Sequence, residues 1–217
     1  MYCMVVIRSY ESSDREAVMR VQFETGLLGG CMSVVLDDKW LFSREVAYYL
    51  DEEPESVFVA VDEGVVVGYV LGCLDDSSHF SLRALLVQVK SIFAQWFSLS
   101  RSDRVFWGGR LRWVLRAVVG PERKLETPPN AGHLHINVLP RARGQGVGSL
   151  LLERFFAYAR SCGVSCLHAD GFLTRLNPNA SFWERHGFAV YSQVRTSMWR
   201  RVFPGEEVFV VVYVKKL

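Results

Sequence analysis

The sequence predicts an α/β fold whose sheet is part antiparallel and part parallel. Three observations predict it. Residues 56–73 carry a hairpin pattern. Residues 133–160 read as strand, glycine-rich turn and helix. Short strands and helices then alternate through the rest of the chain.

The elements follow in order. Val5–Ser9 predicts a first strand. Ser12–Gln22 predicts a helix, with Ser12 or Ser13 as its cap and Glu16 close behind. Thr25–Ser33 contains three glycines and reads as loop, and Leu41–Leu50 predicts a second helix. Val57, Phe58, Val59 and Val61 then lead into Asp62-Glu63-Gly64. Val65, Val66, Val67, Tyr69, Val70 and Leu71 lead out, which predicts a hairpin.

Residues 77–130 differ in character. Leu82, Leu85, Leu86, Val89, Ile92 and Phe93 repeat at helical spacing. Arg101, Arg104, Arg110 and Arg112 then interleave with Trp107, Leu111 and Leu115. This predicts a helical insertion between strands 3 and 4, read as a packed layer, the wall of a pocket, a partner surface or a basic amphipathic membrane contact. His133–Leu139 predicts a strand, Ser149–Arg160 a helix, Ser165–Asp170 a strand and Pro178–His186 a short helix stopped by Gly187. Val190–Met198 and Val208–Val214 predict the last strand pair.

The totals bound the function. A chain of 217 residues, half of them hydrophobic, suits a single domain spanning 1–217. A net charge of +2 gives no polyanion footprint, so no nucleic-acid partner is expected. No long uncharged apolar run predicts a transmembrane segment. Met1–Arg8 lacks the layout of a secretory signal, so cytoplasmic residence is the default expectation. The five cysteines are odd in number and scattered, which argues for reduced thiols. No spacing assembles a metal-ligand set, so no metal is expected.

The informative stretch runs from His133 to Gly148. Its strand ends in a basic, glycine-rich turn that opens a helix. A helix N-terminus presents unpaired N–H groups and partial positive charge, and phosphates bind there. Gly144, Gly146 and Gly148 let the backbone approach a pyrophosphate, and Arg143 adds charge. No Walker A run exists, and the third position of a dinucleotide fingerprint falls on Ser149.

This turn resembles a motif of the GNAT superfamily of N-acetyltransferases. Arg143-Gly144-Gln145-Gly146-Val147-Gly148 fits that family's Arg/Gln-x-x-Gly-x-Gly/Ala pattern. The stretch from Asn177 to Phe188 resembles its second motif, an Asn before a short helix that ends in Gly-Phe. The resemblance covers roughly residues 1–75 and 130–217.

It implies a mixed, mostly antiparallel sheet of about seven strands flanked by helices. It implies acetyl-CoA as co-substrate and direct transfer to an amine on a small molecule or a protein. Backbone groups around Val138 would pair with the pantetheine arm. Amides of Arg143, Gly144, Gln145, Gly146, Val147, Gly148 and Ser149 would hold the pyrophosphate. Asn177 or Asn179 would lie near the pantetheine or the thiol. Strands 4 and 5 would splay to make the reaction gap. Trp183 stands where the family commonly has a tyrosine that protonates the leaving thiolate. That role then falls to water, Ser181 or Tyr191. This departure supports an alternative, an inactive GNAT-fold binding module whose insertion recruits a partner.

An amine attacks a thioester only when neutral, so a base must take a proton. His133 and His135 lie two apart on one strand and face the same side. Asp170 ends the next strand and is read as cation binder or base. His168 and His186 read as packing or surface groups, and nothing near Cys166 would activate its thiol.

Overall fold

The protein folds around one seven-stranded sheet of order β1-β2-β3-β4-β5-β7-β6. The structure is a computed structural model and describes residues 5–34, 46–47, 49–74, 108, 125–176, 179–197, 199–200 and 202–217. Most of the expected insertion, residues 41–45 of the expected second helix, and Asn177 lie outside the described residues.

The strands are β1 Val6–Ser9, β2 Phe58–Asp62, β3 Val65–Cys73, β4 Gly132–Val138, β5 Cys166–Leu173, β6 Ala189–Thr196 and β7 Val208–Lys216. The helices are α1 Arg15–Thr25, α2 Val147–Ser161 and α3 Ala180–Arg185. Residues 46–47 and 49–52 are also helical. All strand pairs are antiparallel except β4 with β5.

Each element follows from local chemistry. The β2–β3 hairpin turns at Glu63 and Gly64, both with positive φ. Before α1, the Arg8 guanidinium grips Asp14 with two bonds of 2.6 and 2.7 Å, and Asp14 accepts the Glu11 amide at 2.9 Å. This fixes the angle at which the chain leaves β1. Gly187, at φ +80, ends α3. Strand β5 runs to Leu173, beyond the expected Asp170, because β7 pairs with it through Leu173↔Phe209.

The pleat of β3 and β4 separates two layers. On one face, a Cβ at Gly68 or Gly72 would meet Leu151 or Phe155 of α2. On the other, Tyr69 reaches Gln22 of α1. The α2 face is apolar: Leu134, Leu151, Leu152, Phe155 and Leu167 are fully buried. The α1 face of β4 carries His133, His135 and Asn137, the alternate residues of the strand.

Gly72 marks how closely β3, β4 and α2 approach. A Cβ there would stand 2.4 Å from the His133 carbonyl oxygen and 2.4 Å from Phe155. Neither a paired backbone nor a buried ring can step aside freely. Gly72→Ala is expected to cost about 3 kcal/mol of stability, read as a lowered urea midpoint. An unchanged midpoint would contradict this packing.

Candidate active site

The site lies where β4 and β5 part. Their pairing consists of Gly132↔Leu167 and His133↔His168. Residues 133, 135 and 137 of β4 sit opposite β3 residues 73, 71 and 69, and the Leu139 amide reaches Val67 O at 2.8 Å. In an antiparallel ladder this points the polar backbone groups of Leu134, Ile136 and Val138 the other way; Leu134 lies beside the last β4–β5 pair, and those of Ile136 and Val138 face the gap. A strand-like arm entering the gap would find donors and acceptors there.

At the end of β4, a 3₁₀ turn over Pro140–Ala142 leads to the glycine turn and α2. Gly144 and Gly146 have φ +74 and +82, and nothing lies within 4 Å of a Cβ placed on either. The glycines are thus required by the backbone, and the space above them is open. Helix α2 starts at Val147, two residues before the expected Ser149, because Gly146 already serves as its cap. Among the described residues, no backbone carbonyl accepts from the amides of Gly144 to Ser149. Together these form an open cradle of free amides at a helix N-terminus.

The side chains around the cradle are tied down. Arg143 donates from Nε to Val138 O at 2.9 Å and from Nη2 to Gly29 O at 2.8 Å. It braces the turn against the loop after α1, and desolvation lowers its pKa. Gln145 donates to Arg141 O at 2.9 Å. The Ser149 hydroxyl lies 2.8 Å from His186 Nε2, whose Nδ1 lies 2.7 Å from Phe182 O. His186 therefore clips α3 to the first turn of α2, which is the packing side of the expected packing-or-surface role.

Asn179 caps the far side. Its Oδ1 is buried with no hydrogen-bond partner among the described residues, and its Nδ2 reaches Phe172 O at 3.5 Å. Trp183 is buried in an aromatic cluster, edge-on to Phe182 and Phe188 and stacked on Tyr213 at 5.6 Å. The Tyr213 hydroxyl is buried without a hydrogen-bond partner among the described residues. Burial, with the charge of Glu184, raises its pKa. Tyr191 lies on edge strand β6, separated from the gap by β5 and β7, and is 43% exposed.

On the α1 face the titratable groups converge. His133 Nε2 lies 2.8 Å from Asp170 Oδ1, and His133 Nδ1 lies 2.8 Å from the Tyr49 hydroxyl. The His168 ring centroid is 5.0 Å from that of His133. On sequence alone Asp170 and His133 are separate candidates; the one short stretch of β4–β5 pairing joins them. Asp170 keeps 54% of its side chain exposed. Desolvation would raise its pKa, but the His133 hydrogen bond and the nearby imidazoles hold it well below the usual carboxylate range. It stays an anion.

His135 sits one pleat further along. Its Nδ1 is 3.3 Å from the Tyr69 hydroxyl, which also contacts Gln22 Oε1 and accepts from Asn137 Nδ2 at 3.0 Å. Desolvation lowers His135 to about 4; charge on His133 adds to this and Asp170 opposes it. His168 is lowered to about 4 for the same reasons. Both are neutral in the folded protein near pH 7. The unfolded chain protonates them more readily, so stability is full above about pH 6.5 and falls as pH drops toward 4. Urea titrations across that window should show the loss, and a flat profile would contradict these environments.

The sequence does not single out Gln22, Tyr49, Tyr69 or Asn137 as site residues. Only Asn137 carries a signal, as the third member of an alternating His-x-His-x-Asn run. Among the described residues, no three His, Cys, Asp or Glu side chains could hold a metal ion. None of the described helices is long and apolar enough to cross a membrane.

The sequence model of the acetyltransferase (GNAT) family matches residues 27–188. The chain belongs to the GNAT acetyltransferase family. Solved structures share its fold. SsHAT is 24% identical over 98% of each chain, with a TM-score of 0.63. The polyamine N-acetyltransferase of Drosophila melanogaster, which catalyses formation of N-acetylagmatine, is 18% identical over 99% of this chain and 100% of its own, with a TM-score of 0.62. The yncA protein of Salmonella typhimurium, solved with its cofactor acetyl-CoA, is 17% identical over 98% of this chain and 94% of its own, with a TM-score of 0.57.

Proposed function

We propose that this GNAT protein is an N-acetyltransferase that moves an acetyl group from acetyl-CoA directly to an amine bound at Asp170. The observation that carries the reading is the placement of an ionised, half-exposed carboxylate and two imidazoles where β4 leaves β5. That place is one strand length from a cradle of free amides.

The residues present fit acetyl-CoA. Amides of Gly144 to Ser149 suit a pyrophosphate. The outward backbone groups of Ile136 and Val138 suit the amides of a pantetheine arm, although Val138 O already accepts from Arg143. The buried, unpartnered Asn179 Oδ1 suits an amide N–H. When bound, acetyl-CoA supplies a thioester whose carbonyl carbon accepts the amine lone pair and whose thiolate leaves with the C–S electron pair.

The chain's own residues do the rest. Asp170 holds the incoming ammonium by charge, and His133, anchored to Tyr49, fixes the carboxylate in place. His135, kept neutral by burial, takes the nitrogen's proton as the C–N bond forms, when that proton is most acidic. The leaving thiolate needs a proton that Trp183 cannot give. Tyr213 stacks on Trp183 but lies on β7, beyond β5, with its hydroxyl buried, so water supplies that proton.

A cationic amine is favoured as acceptor because Asp170, the exposed charge of the site among the described residues, is negative. The formation of N-acetylagmatine by the Drosophila protein agrees with that class. The test is calorimetric titration of acetyl-CoA, followed by CoA-thiol release with pooled cationic and neutral amines. Micromolar binding and release with cationic amines is expected. Binding without release from any amine would favour the binding-module alternative.

A further inference from the structure

We propose that Gln22, Tyr69 and Asn137 are positioning residues that lock His135 in its Nδ1–H tautomer, leaving the Nε2 lone pair to accept the amine's proton. The catalytic half of this rests on the acetyl-transfer reading above; the tautomer does not.

A count of hydrogens gives the tautomer. Tyr69 is fully buried, so its hydroxyl must find its partners inside the protein. It has one hydrogen and two lone pairs. Its three neighbours are Gln22, Asn137 at 3.0 Å and His135 Nδ1 at 3.3 Å. Gln22 and Asn137 also bond to each other at 2.7 Å. One of these two amides must therefore present oxygen and the other nitrogen. In one arrangement, Gln22 Oε1 accepts the Tyr69 proton and Asn137 Nδ2 donates to the Tyr69 oxygen. If both amides are turned over, Asn137 accepts and Gln22 donates. Either way Tyr69 has spent its hydrogen and keeps one lone pair. His135 fills it by donating from Nδ1.

A neutral imidazole has one N–H, so Nε2 of His135 is bare. Among the described residues it has no hydrogen-bond partner, and His135 is half-buried rather than closed off. It projects from the same face as His133, which holds Asp170. The other histidine is committed. His133 meets a carboxylate at one nitrogen and a hydroxyl at the other. In the step assigned to His135, the amine N–H bond breaks and an Nε2–H bond forms. The electron pair stays on the amine nitrogen, and the imidazolium later releases its proton to water.

Gln22 lies on α1 and touches neither gap nor cradle, which makes it a clean point of attack. Gln22→Leu keeps the volume but accepts nothing. In the arrangement the structure holds, with Gln22 as acceptor and Asn137 as donor, the freed Tyr69 proton turns to His135 Nδ1, moving the imidazole proton to Nε2. Gln22→Glu keeps an acceptor and should keep the lock. Tautomers are read by nitrogen NMR of isotope-labelled histidine in the full chain, and acetyl transfer is measured beside it.

Wild type and Gln22→Glu should show Nδ1–H, and Gln22→Leu should show Nε2–H. In Gln22→Leu, kcat should fall about 100-fold or more with the KM for acetyl-CoA unchanged, and Gln22→Glu should recover most of it. An Nε2–H signal in the wild type overturns the lock, and an Nδ1–H signal retained in Gln22→Leu overturns the part given to Gln22. A flipped tautomer with full kcat overturns the base role. A wild type that shows Nδ1–H yet acetylates no amine removes the acetyl-transfer reading and the base role, while the lock stands.

Discussion

Gly146→Glu should abolish acetyl-CoA binding while leaving the protein folded. Gly146 sits at φ +82 with nothing within 4 Å of a Cβ placed there, so the new side chain meets no packed neighbour. Its backbone cost is about 1–2 kcal/mol for a left-handed L-residue. The larger effect is electrostatic. The added carboxylate stands over the free amides that would receive a pyrophosphate, replacing partial positive charge with a full negative one. A loss of at least about 100-fold in affinity, or about 2.7 kcal/mol, is expected by calorimetry. Gly163→Glu is the matched control. It has φ +79, open surroundings and a place just past the other end of α2. It carries the same strain and should bind normally. Equal loss in both variants would assign the effect to strain in place of charge.

Asp170→Asn should cripple use of the amine and spare the cofactor. The substituted amide can still accept from His133 Nε2, so the local hydrogen bond survives and only the charge goes. A carboxylate and an ammonium in contact near a protein surface attract by about 4 kcal/mol. Solvent screening at a side chain 54% exposed reduces this. A fall of about 100-fold in kcat/KM for the amine is expected, about 2.7 kcal/mol. The calorimetric Kd for acetyl-CoA should not move. Loss of acetyl-CoA binding in this variant would mean that Asp170 belongs to the cofactor's side of the gap. A neutral amine should be much less affected than a cationic one.

Much of this fold is legible because it is written in short-range patterns. The β2–β3 hairpin follows from two β-branched runs around Glu63-Gly64. The glycines at 144 and 146 announce a backbone that only glycine adopts easily, and both have positive φ. Gly187 stops α3 where a C-terminal glycine should. The strand limits are less legible. β5 outruns its own apolar pattern because β7 pairs with it to Leu173, a long-range effect absent from the local sequence.

The site is legible only in part. Spacing alone places His133 and His135 on one face, and Asn137 follows the same alternation. The bond from His133 to Asp170 depends on where β4 and β5 stop pairing, which no local pattern encodes. Tyr49 and Gln22 come from helical segments far away in sequence, and nothing in their neighbourhoods marks them. His186 reads as a packing or surface histidine in sequence, and only the docking of α3 against α2 gives it Ser149 as a partner. Trp183 is an anomaly at the level of motif; in three dimensions it is an aromatic wall against which Tyr213 stacks.

Passage of an acetyl group from acetyl-CoA to an amine on this protein is tested most directly by mass spectrometry. A pool of cationic amines is incubated with acetyl-CoA labelled in the acetyl group. A labelled N-acetyl amine should form with wild-type protein, fall about 100-fold with Asp170→Asn, and be absent with Gly146→Glu. Labelled acetyl on no amine, despite saturation with acetyl-CoA, would contradict acetyl transfer.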